Sequence, residues 1–156
     1  MSCVRFAMMV LACLTAVDAS AAQPDKRVAK ALKKAGIEYS VDADGDYEIL
    51  VSVGRRTHKV WVRSETSWFD AAEVRDIFAY AHVTPEGEGL PDDLYRSLLE
   101  RHYKIGAWIT EAGRAASFSA AIDARAKPHV LRSAILAVAE SADDLEKELT
   151  GNEDAL

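Results

Sequence analysis

The 156-residue chain is poor in sulfur: it contains two cysteines and three methionines. Two cysteines are too few for a small disulfide scaffold or for a zinc site built from cysteine alone. The net charge of −6 argues against nucleic acid as a partner, because proteins that bind nucleic acid are usually basic. With 49% hydrophobic and 28% charged residues, the composition excludes a disordered chain and predicts one globular domain.

All five sulfur-containing residues lie near the N-terminus, in a segment that has the pattern of a secretory signal peptide. Arg5 supplies the positive charge, and Phe6 to Val17 is an apolar run too short to span a bilayer. Small residues at 19–22 match the site that signal peptidase cleaves. We therefore expect residues 1–22 to be a signal peptide, and the rest to be periplasmic or secreted.

Cleavage at this point would leave a chain without cysteine or methionine, and so without a thiol nucleophile, a thiolate ligand or a disulfide. A lipoprotein anchored through Cys13 is the less favoured alternative, because apolar residues continue beyond that cysteine. Neither interpretation includes a membrane-spanning segment.

Residues 23–151 predict a single α+β domain in the order α-β-β-β-β-α-β-β-α. Amphipathic periodicity predicts helices at 25–35, from Pro91 onward and from Pro128 to Gly151. Alternation of apolar and polar residues predicts strands at 38–41, 46–53, 57–64, 105–110 and 116–122. The segment Glu73–Val83 fits either a helix or a strand, and its β-branched and aromatic content favours a strand.

Adjacent strands joined by short turns predict an antiparallel sheet with helices packed on it. Beyond this domain, residues 152–156 form a short acidic tail. Acidic residues of the segment 140–156 account for the net negative charge. Such a run usually forms a solvated helix face. The functional alternative is attraction to a basic partner, for example the basic first helix of another copy.

No local motif indicates a reaction: G-x-S-x-G, P-loop, G-x-G-x-x-G and H-E-x-x-H patterns do not occur. Asp42 to Asp46 begins like a calcium loop, but Tyr47 and Val53 stand where that loop needs glycine and glutamate, so we expect a charged hairpin turn. The four histidines form no i, i+2 or i, i+4 pair. We predict no catalytic, metal or cofactor residues, and a non-enzymatic protein.

A candidate protein-binding surface comes from two tryptophans and the cations beside one of them. Lys59, Trp61 and Arg63 are expected on the same solvated side of a strand, and Trp68 is expected in a turn. The remaining tryptophan, Trp108, is expected to pack beneath the helices.

An exported hydrolase or small-ligand-binding protein is the alternative function. Its site would be assembled from separated residues, such as His58, Asp76 and His82. These three side chains can meet only if the third and fourth strands pair in a suitable register.

Several segments, taken in order, resemble the YbjN family, whose domain is similar to type III secretion chaperones. They are Gly36 to Tyr39, D-x-D-G-D-Y at 42–47, K-V-W-V-R-S-E-T at 59–66, E-V-R-D-I-F at 73–78, L-P-D-D-L-Y-R-S-L-L at 90–99, I-G-A-W at 105–108 and A-D-D-L-E-K-E-L-T-G at 142–151. The resemblance implies an α+β fold without catalytic residues, a protein-binding or chaperone-like role and, as is common among such chaperones, a homodimer. The apparent signal peptide departs from the cytoplasmic setting usual for the family.

Overall fold

The computed structural model describes residues 23–151. The elements are α1 (Lys26–Ala35), β1 (Ser40–Val41), β2 (Tyr47–Val53), β3 (Arg56–Val62), β4 (Ser67–Phe69), β5 (Ala72–Val83), α2 (Asp92–Glu100), β6 (Ala107–Glu111), β7 (Ala115–Asp123) and α3 (Pro128–Thr150). This is the predicted α+β arrangement, to which the structure adds the short strand β4. The expected signal peptide at 1–22 and the acidic tail at 152–156 lie outside the described residues.

The strands form one antiparallel sheet in the order β1-β2-β3-β5-β7-β6, and β4 pairs with β5. The ambiguous segment Glu73–Val83 lies within β5, so the prediction of a strand is confirmed. Gly45 and Gly54, with φ of 83° and 62°, occupy the turns on either side of β2. Both turns need a left-handed backbone, which glycine adopts without a steric penalty.

The prediction begins α1 at residue 25, whereas the helix begins at Lys26 with Asp25 as its N-cap; α3 begins at Pro128 and ends before Gly151, as predicted. The Asp25 side chain caps α1 by accepting a 2.8 Å hydrogen bond from the backbone N–H of Arg27, and Gly36 ends the helix with φ of 68°. Pro128 begins α3, where its missing N–H costs no hydrogen bond. Among the described helices, none combines the length and the apolar character that crossing a bilayer needs.

The two faces of the sheet have different surroundings. One face is covered: the buried core joins its alternate side chains to Val28 and Leu32 of α1, Leu94 and Leu98 of α2, and the apolar stripe of α3. Trp108 packs at the margin of this core, with its ring 5.3 Å from that of Phe118, in keeping with its predicted packing role.

The opposite face, which we call the open face, contributes no side chain to that core. Its residues include Leu50, Lys59, Trp61, Phe78, Tyr80 and Ile109, which the pairing register places on one side of the sheet.

Candidate functional site

Three of the four residues predicted to form a binding surface lie together on the open face. Trp61 stacks on Phe78 with ring centroids 5.4 Å apart and an interplanar angle of 11°, and the Tyr80 ring meets Trp61 edge-on at 5.5 Å. The Lys59 ammonium lies 5.4 Å from the Trp61 ring centroid, and the Arg63 guanidinium lies 4.8 Å from that of Phe78. The open face therefore presents an aromatic cluster with two cations above it.

The fourth residue, Trp68, lies on the other side of the sheet. It is in β4 rather than in a turn, and its partner on β5 is Glu73. Cross-strand partners share a face, and Glu73 shares a face with the core residue Ile77, four positions along β5. Trp68 is 58% exposed, with the Arg125 guanidinium 6.0 Å from its ring. The structure does not join it to Trp61.

The structure also does not assemble the alternative site of His58, Asp76 and His82. His58 is buried on the covered face, with its Nε2 2.7 Å from the backbone carbonyl of Tyr80. Asp76 lies on the open face, because the next residue, Ile77, points into the core. His82 follows an irregularity in the β5–β7 pairing and lines a separate groove beside α2. No acid–base pair is formed from these residues.

A cleft lined by apolar side chains and several cations lies between α1, the end of β7 and the start of α3, and we call it the α1–α3 cleft. Its volume is about 260 Å³. Apolar side chains form its floor: Val28, Ala31, Ile122, Ala124 and Leu131. Cations form most of its rim: Arg27, Lys30, Lys34, Arg75 and Arg125, with Asp123 as the carboxylate among the lining residues.

Two arginines of the rim are held rigidly by carboxylates behind them. Arg27 Nη1 and Nη2 donate to Glu73 at 2.8 and 2.7 Å, and the same guanidinium lies 2.7 Å from Asp25. Arg75 is buried and donates to Asp25 and, at 2.8 Å, to the backbone carbonyl of Ser64. The hydrogen bond from Arg27 is the main reason that the pKa of Glu73 falls to about 2.

The cleft keeps an excess of positive charge after these pairs are counted. Its five rim cations face Asp123 and the two carboxylates behind them, Asp25 and Glu73, so five positive and three negative charges leave +2. Lys30 and Lys34 are exposed and stand one turn apart on α1. The start of α3 also borders the cleft through Pro128, and its first turn contains no acidic residue. Its helix dipole therefore adds to the positive potential.

Sequence reasoning did not find this cleft, because its walls come from three separate parts of the chain. One signal was present: α1 carries Lys26, Arg27, Lys30, Lys33 and Lys34 and no acidic residue. An amphipathic helix whose polar face carries only cations is a candidate for binding an anionic partner. The apolar floor becomes visible only when β7 and α3 pack beside α1.

Comparison with known proteins adds no assignment, since no family model and no curated protein matches this chain. The resemblance to the YbjN family stays a prediction that rests on its quoted segments.

Proposed function

We propose that this chain is a non-enzymatic, exported protein with a protein-binding, chaperone-like role. In this proposal the α1–α3 cleft takes an acidic, amphipathic segment of a partner polypeptide. The observation that carries the proposal is the meeting of an apolar floor and a rim of net charge +2 in a single cleft.

The cleft has groups that match both the apolar and the acidic side chains of such a segment. Apolar side chains of the partner would remove the floor around Ala31 and Ile122 from water, which stabilises a complex in proportion to the area buried. Carboxylates of the partner would meet the cationic rim, which favours encounter and excludes basic segments. A ligand without apolar side chains leaves the floor exposed to water, and a ligand without carboxylates makes no ion pairs with the rim.

The rim is organised before any ligand arrives. Arg27 and Arg75 are held by Glu73 and Asp25, so they form a fixed wall and lose little freedom on binding. Lys30 and Lys34 are exposed on the same side of α1, so an incoming carboxylate can reach both of them.

Other parts of the proposal rest on the sequence. Export rests on the pattern of residues 1–22, and the chaperone-like and homodimeric character rests on the resemblance to the YbjN family. The cluster around Trp61 on the open face is a second candidate contact surface, for which Lys59 and Arg63 supply the polar rim.

The test compares two charge-reversed variants of the full chain that differ only in where the charge changes. Lys30→Glu/Lys34→Glu alters the cleft, whereas Lys26→Glu/Lys33→Glu makes the same change on α1 at residues that do not line it. Binding of a synthetic Leu/Glu peptide is measured by calorimetry, with Leu/Gln and Leu/Lys peptides of equal length for comparison.

We expect the Leu/Glu peptide to bind best, and the cleft variant to weaken that binding about tenfold or more, while the control changes it about threefold or less. Equal weakening by both variants would show that only the general charge of α1 matters, and absence of peptide binding would also refute the proposal.

A small anionic amphiphile is the second candidate ligand, because the cleft volume of about 260 Å³ is close to the lower end of small-molecule pockets. Decanoate is a suitable probe. Binding of decanoate that depends on Lys30 and Lys34, without binding of the peptide, would replace the partner-binding function by a small-ligand function.

A further inference from the structure

A buried polar cluster lies beneath α3 and shares no residue with the α1–α3 cleft. It consists of Arg56 and His58 from β3 with Asp143 and Glu146 from α3. The side chains of His58 and Glu146 are each 1% exposed, and that of Asp143 is 7% exposed. One donor atom from each of these three residues lies within 4.8 Å of the other two.

The hydrogen bond to Tyr80 determines which tautomer a neutral His58 ring adopts. Its Nε2 lies 2.7 Å from the Tyr80 backbone carbonyl, and a carbonyl only accepts, so Nε2 carries the proton and donates. The neutral ring therefore presents a lone pair at Nδ1, which makes no hydrogen bond to any residue of 23–151. That Nδ1 is 3.4 Å from Oε2 of Glu146.

A lone pair that faces a carboxylate oxygen in a buried site is repelled by it, and a cation between the two atoms converts the repulsion into attraction. Metal-binding histidines are commonly oriented in this way: one ring nitrogen donates to a backbone carbonyl, and the other coordinates the ion. In His58, Nε2 donates to the backbone carbonyl of Tyr80, and the other ring nitrogen, Nδ1, faces Glu146.

The two carboxylates complete a donor set suited to a transition metal. Asp143 and Glu146 stand three residues apart on α3, so both reach the same side of the helix toward His58. One imidazole nitrogen with two carboxylate oxygens is a set that Zn²⁺ accepts, with a further position left for water. We infer that His58 Nδ1, Asp143 and Glu146 form a binding site for a divalent transition-metal ion of the Zn²⁺ type.

Arg56 is the cation that accompanies these carboxylates in the structure. Its Nε lies 2.6 Å from Asp143 Oδ1, and its Nη2 lies 2.7 Å from Glu146 Oε2. With neutral His58, one guanidinium and two carboxylates sum to −1, whereas a divalent ion in place of the guanidinium brings the site to zero. A buried site favours the neutral sum. The ion and Arg56 therefore compete for the same oxygens.

An opening beside the cluster gives an ion access to the site and leaves space for the Arg56 side chain to move. An opening of about 610 Å³ lies beside the turn between β2 and β3, lined by Val53, Gly54, Arg55, Arg56, Asp143, Asp144 and Lys147. Arg56 and Asp143 belong both to the cluster and to this opening. Outward rotation of the guanidinium into the opening frees both carboxylates for the ion.

The first experiment titrates ZnCl₂ into the full chain by calorimetry, with Co²⁺ absorption as a spectroscopic reporter of coordination. His58→Gln places an amide donor where Nε2 reaches Tyr80 but removes the Nδ1 ligand, and Asp143→Asn removes one carboxylate with little change of shape. His129→Gln is the matched control, because His129 is exposed near the start of α3 and is not part of the cluster.

We expect one ion per chain in the unaltered protein and in His129→Gln, and affinity lowered about tenfold or more in His58→Gln and Asp143→Asn. Circular dichroism checks that each variant is folded. Unchanged binding in His58→Gln, or loss of binding in His129→Gln, would show that the ion binds elsewhere on the surface.

A second variant, Arg56→Gln, tests whether Arg56 competes with the ion for the two carboxylates, and it leaves all three proposed metal ligands in place. We expect it to bind Zn²⁺ more tightly than the unaltered chain, and its thermal midpoint to rise further when Zn²⁺ is added. No binding in either protein would overturn the inference. A different result would also overturn the inference: acidification stabilises the protein only when His58 is present, and Zn²⁺ has no effect. The cation between Nδ1 and Glu146 would then be a proton.

Discussion

Arg27 and Glu73 form a bidentate ion pair that ties α1 to the start of β5, with two N–O distances of 2.7 and 2.8 Å. The two residues are 46 positions apart in the chain. Asp25 contacts both Arg27 and Arg75, so the pair is part of a four-residue chain of alternating charge. This arrangement explains how β5 can carry Glu73 and Arg75 on its covered face, because each buried charge has an oppositely charged partner.

This chain of charges predicts a loss of stability in acid. The hydrogen bond from Arg27 lowers the pKa of Glu73 from its ordinary 4.5 to about 2. Burial acts to raise the pKa of Asp25, but hydrogen bonds from Arg27 and Arg75 outweigh it and bring that pKa from 3.8 to about 2. Both values are lower in the folded state, so the stabilisation is complete above the unfolded values and disappears as the pH falls toward 2.

We therefore expect the free energy of unfolding to decline more steeply in the unaltered protein than in Glu73→Gln as the pH falls from about 5 to 2. Urea denaturation at a series of pH values measures it. Glu65→Gln removes an exposed carboxylate and should leave the slope unchanged. Parallel curves for the protein and Glu73→Gln would contradict the expectation.

The buried cluster beneath α3 predicts a large effect of removing one cation. Arg56→Gln leaves Asp143 and Glu146 buried without their guanidinium, and in the presence of a chelator the free energy of unfolding should fall by about 3–5 kcal/mol. Arg55→Gln makes the same change at an exposed neighbouring residue and should cost about 0.5 kcal/mol or less. A small loss in Arg56→Gln would mean that the carboxylates do not need the arginine.

Phe118 provides the corresponding prediction for the apolar core. Its side chain is fully buried, and it contacts the rings of Tyr103 and Trp108 with centroids 4.7 and 5.3 Å away. Phe118→Ala should lower the free energy of unfolding by about 3–5 kcal/mol, measured by urea denaturation, because it leaves a cavity between β7 and the helices. Leu99 is 85% exposed, and Leu99→Ala should change stability by about 0.5 kcal/mol or less.

Alanine substitutions at two glycines with positive φ allow the cost of backbone strain to be measured apart from the cost of steric overlap. A Cβ on Gly54 would meet open space, whereas a Cβ on Gly106 would overlap the backbone carbonyl of Ser119. Gly54→Ala should therefore cost only the left-handed backbone penalty of about 1–2 kcal/mol. Gly106→Ala should cost more, and hydrogen exchange should show faster opening of β6 from β7. Equal losses in the two variants would indicate that β6 shifts without cost.

The sequence predicts the fold well wherever alternation extends over several residues. The alternation of Lys59, Trp61 and Arg63 predicts that they lie on one side of the sheet. In the structure Lys59 and Trp61 share the open face of β3, and Arg63, just beyond the end of that strand, reaches the Phe78 ring on the same face. The strand β4 has three residues, which is too short for a period to be recognised, so the sequence predicts a turn at Trp68 instead.

The sites are less predictable, because they depend on contacts between distant segments. The acidic run of the last helix predicts a solvated face, yet Asp143 and Glu146 are buried against Arg56. Periodicity alone does not distinguish a charge that faces water from one that faces an arginine of another strand. The partner of each carboxylate lies 87 or more residues away, and only the packing of α3 on β3 brings them together.

The position of α3 in the chain has a consequence for the order of folding. β5 pairs with β7 from the partners Val74 and Asp123 at one end to Val83 and Ala115 at the other. The helix that covers both strands, α3, follows them in the sequence. During synthesis, the early strands emerge while their apolar face still lacks this cover. We therefore expect a ribosome-bound chain to remain sensitive to protease until residues 128–150 have emerged, and then to acquire resistance in one late step.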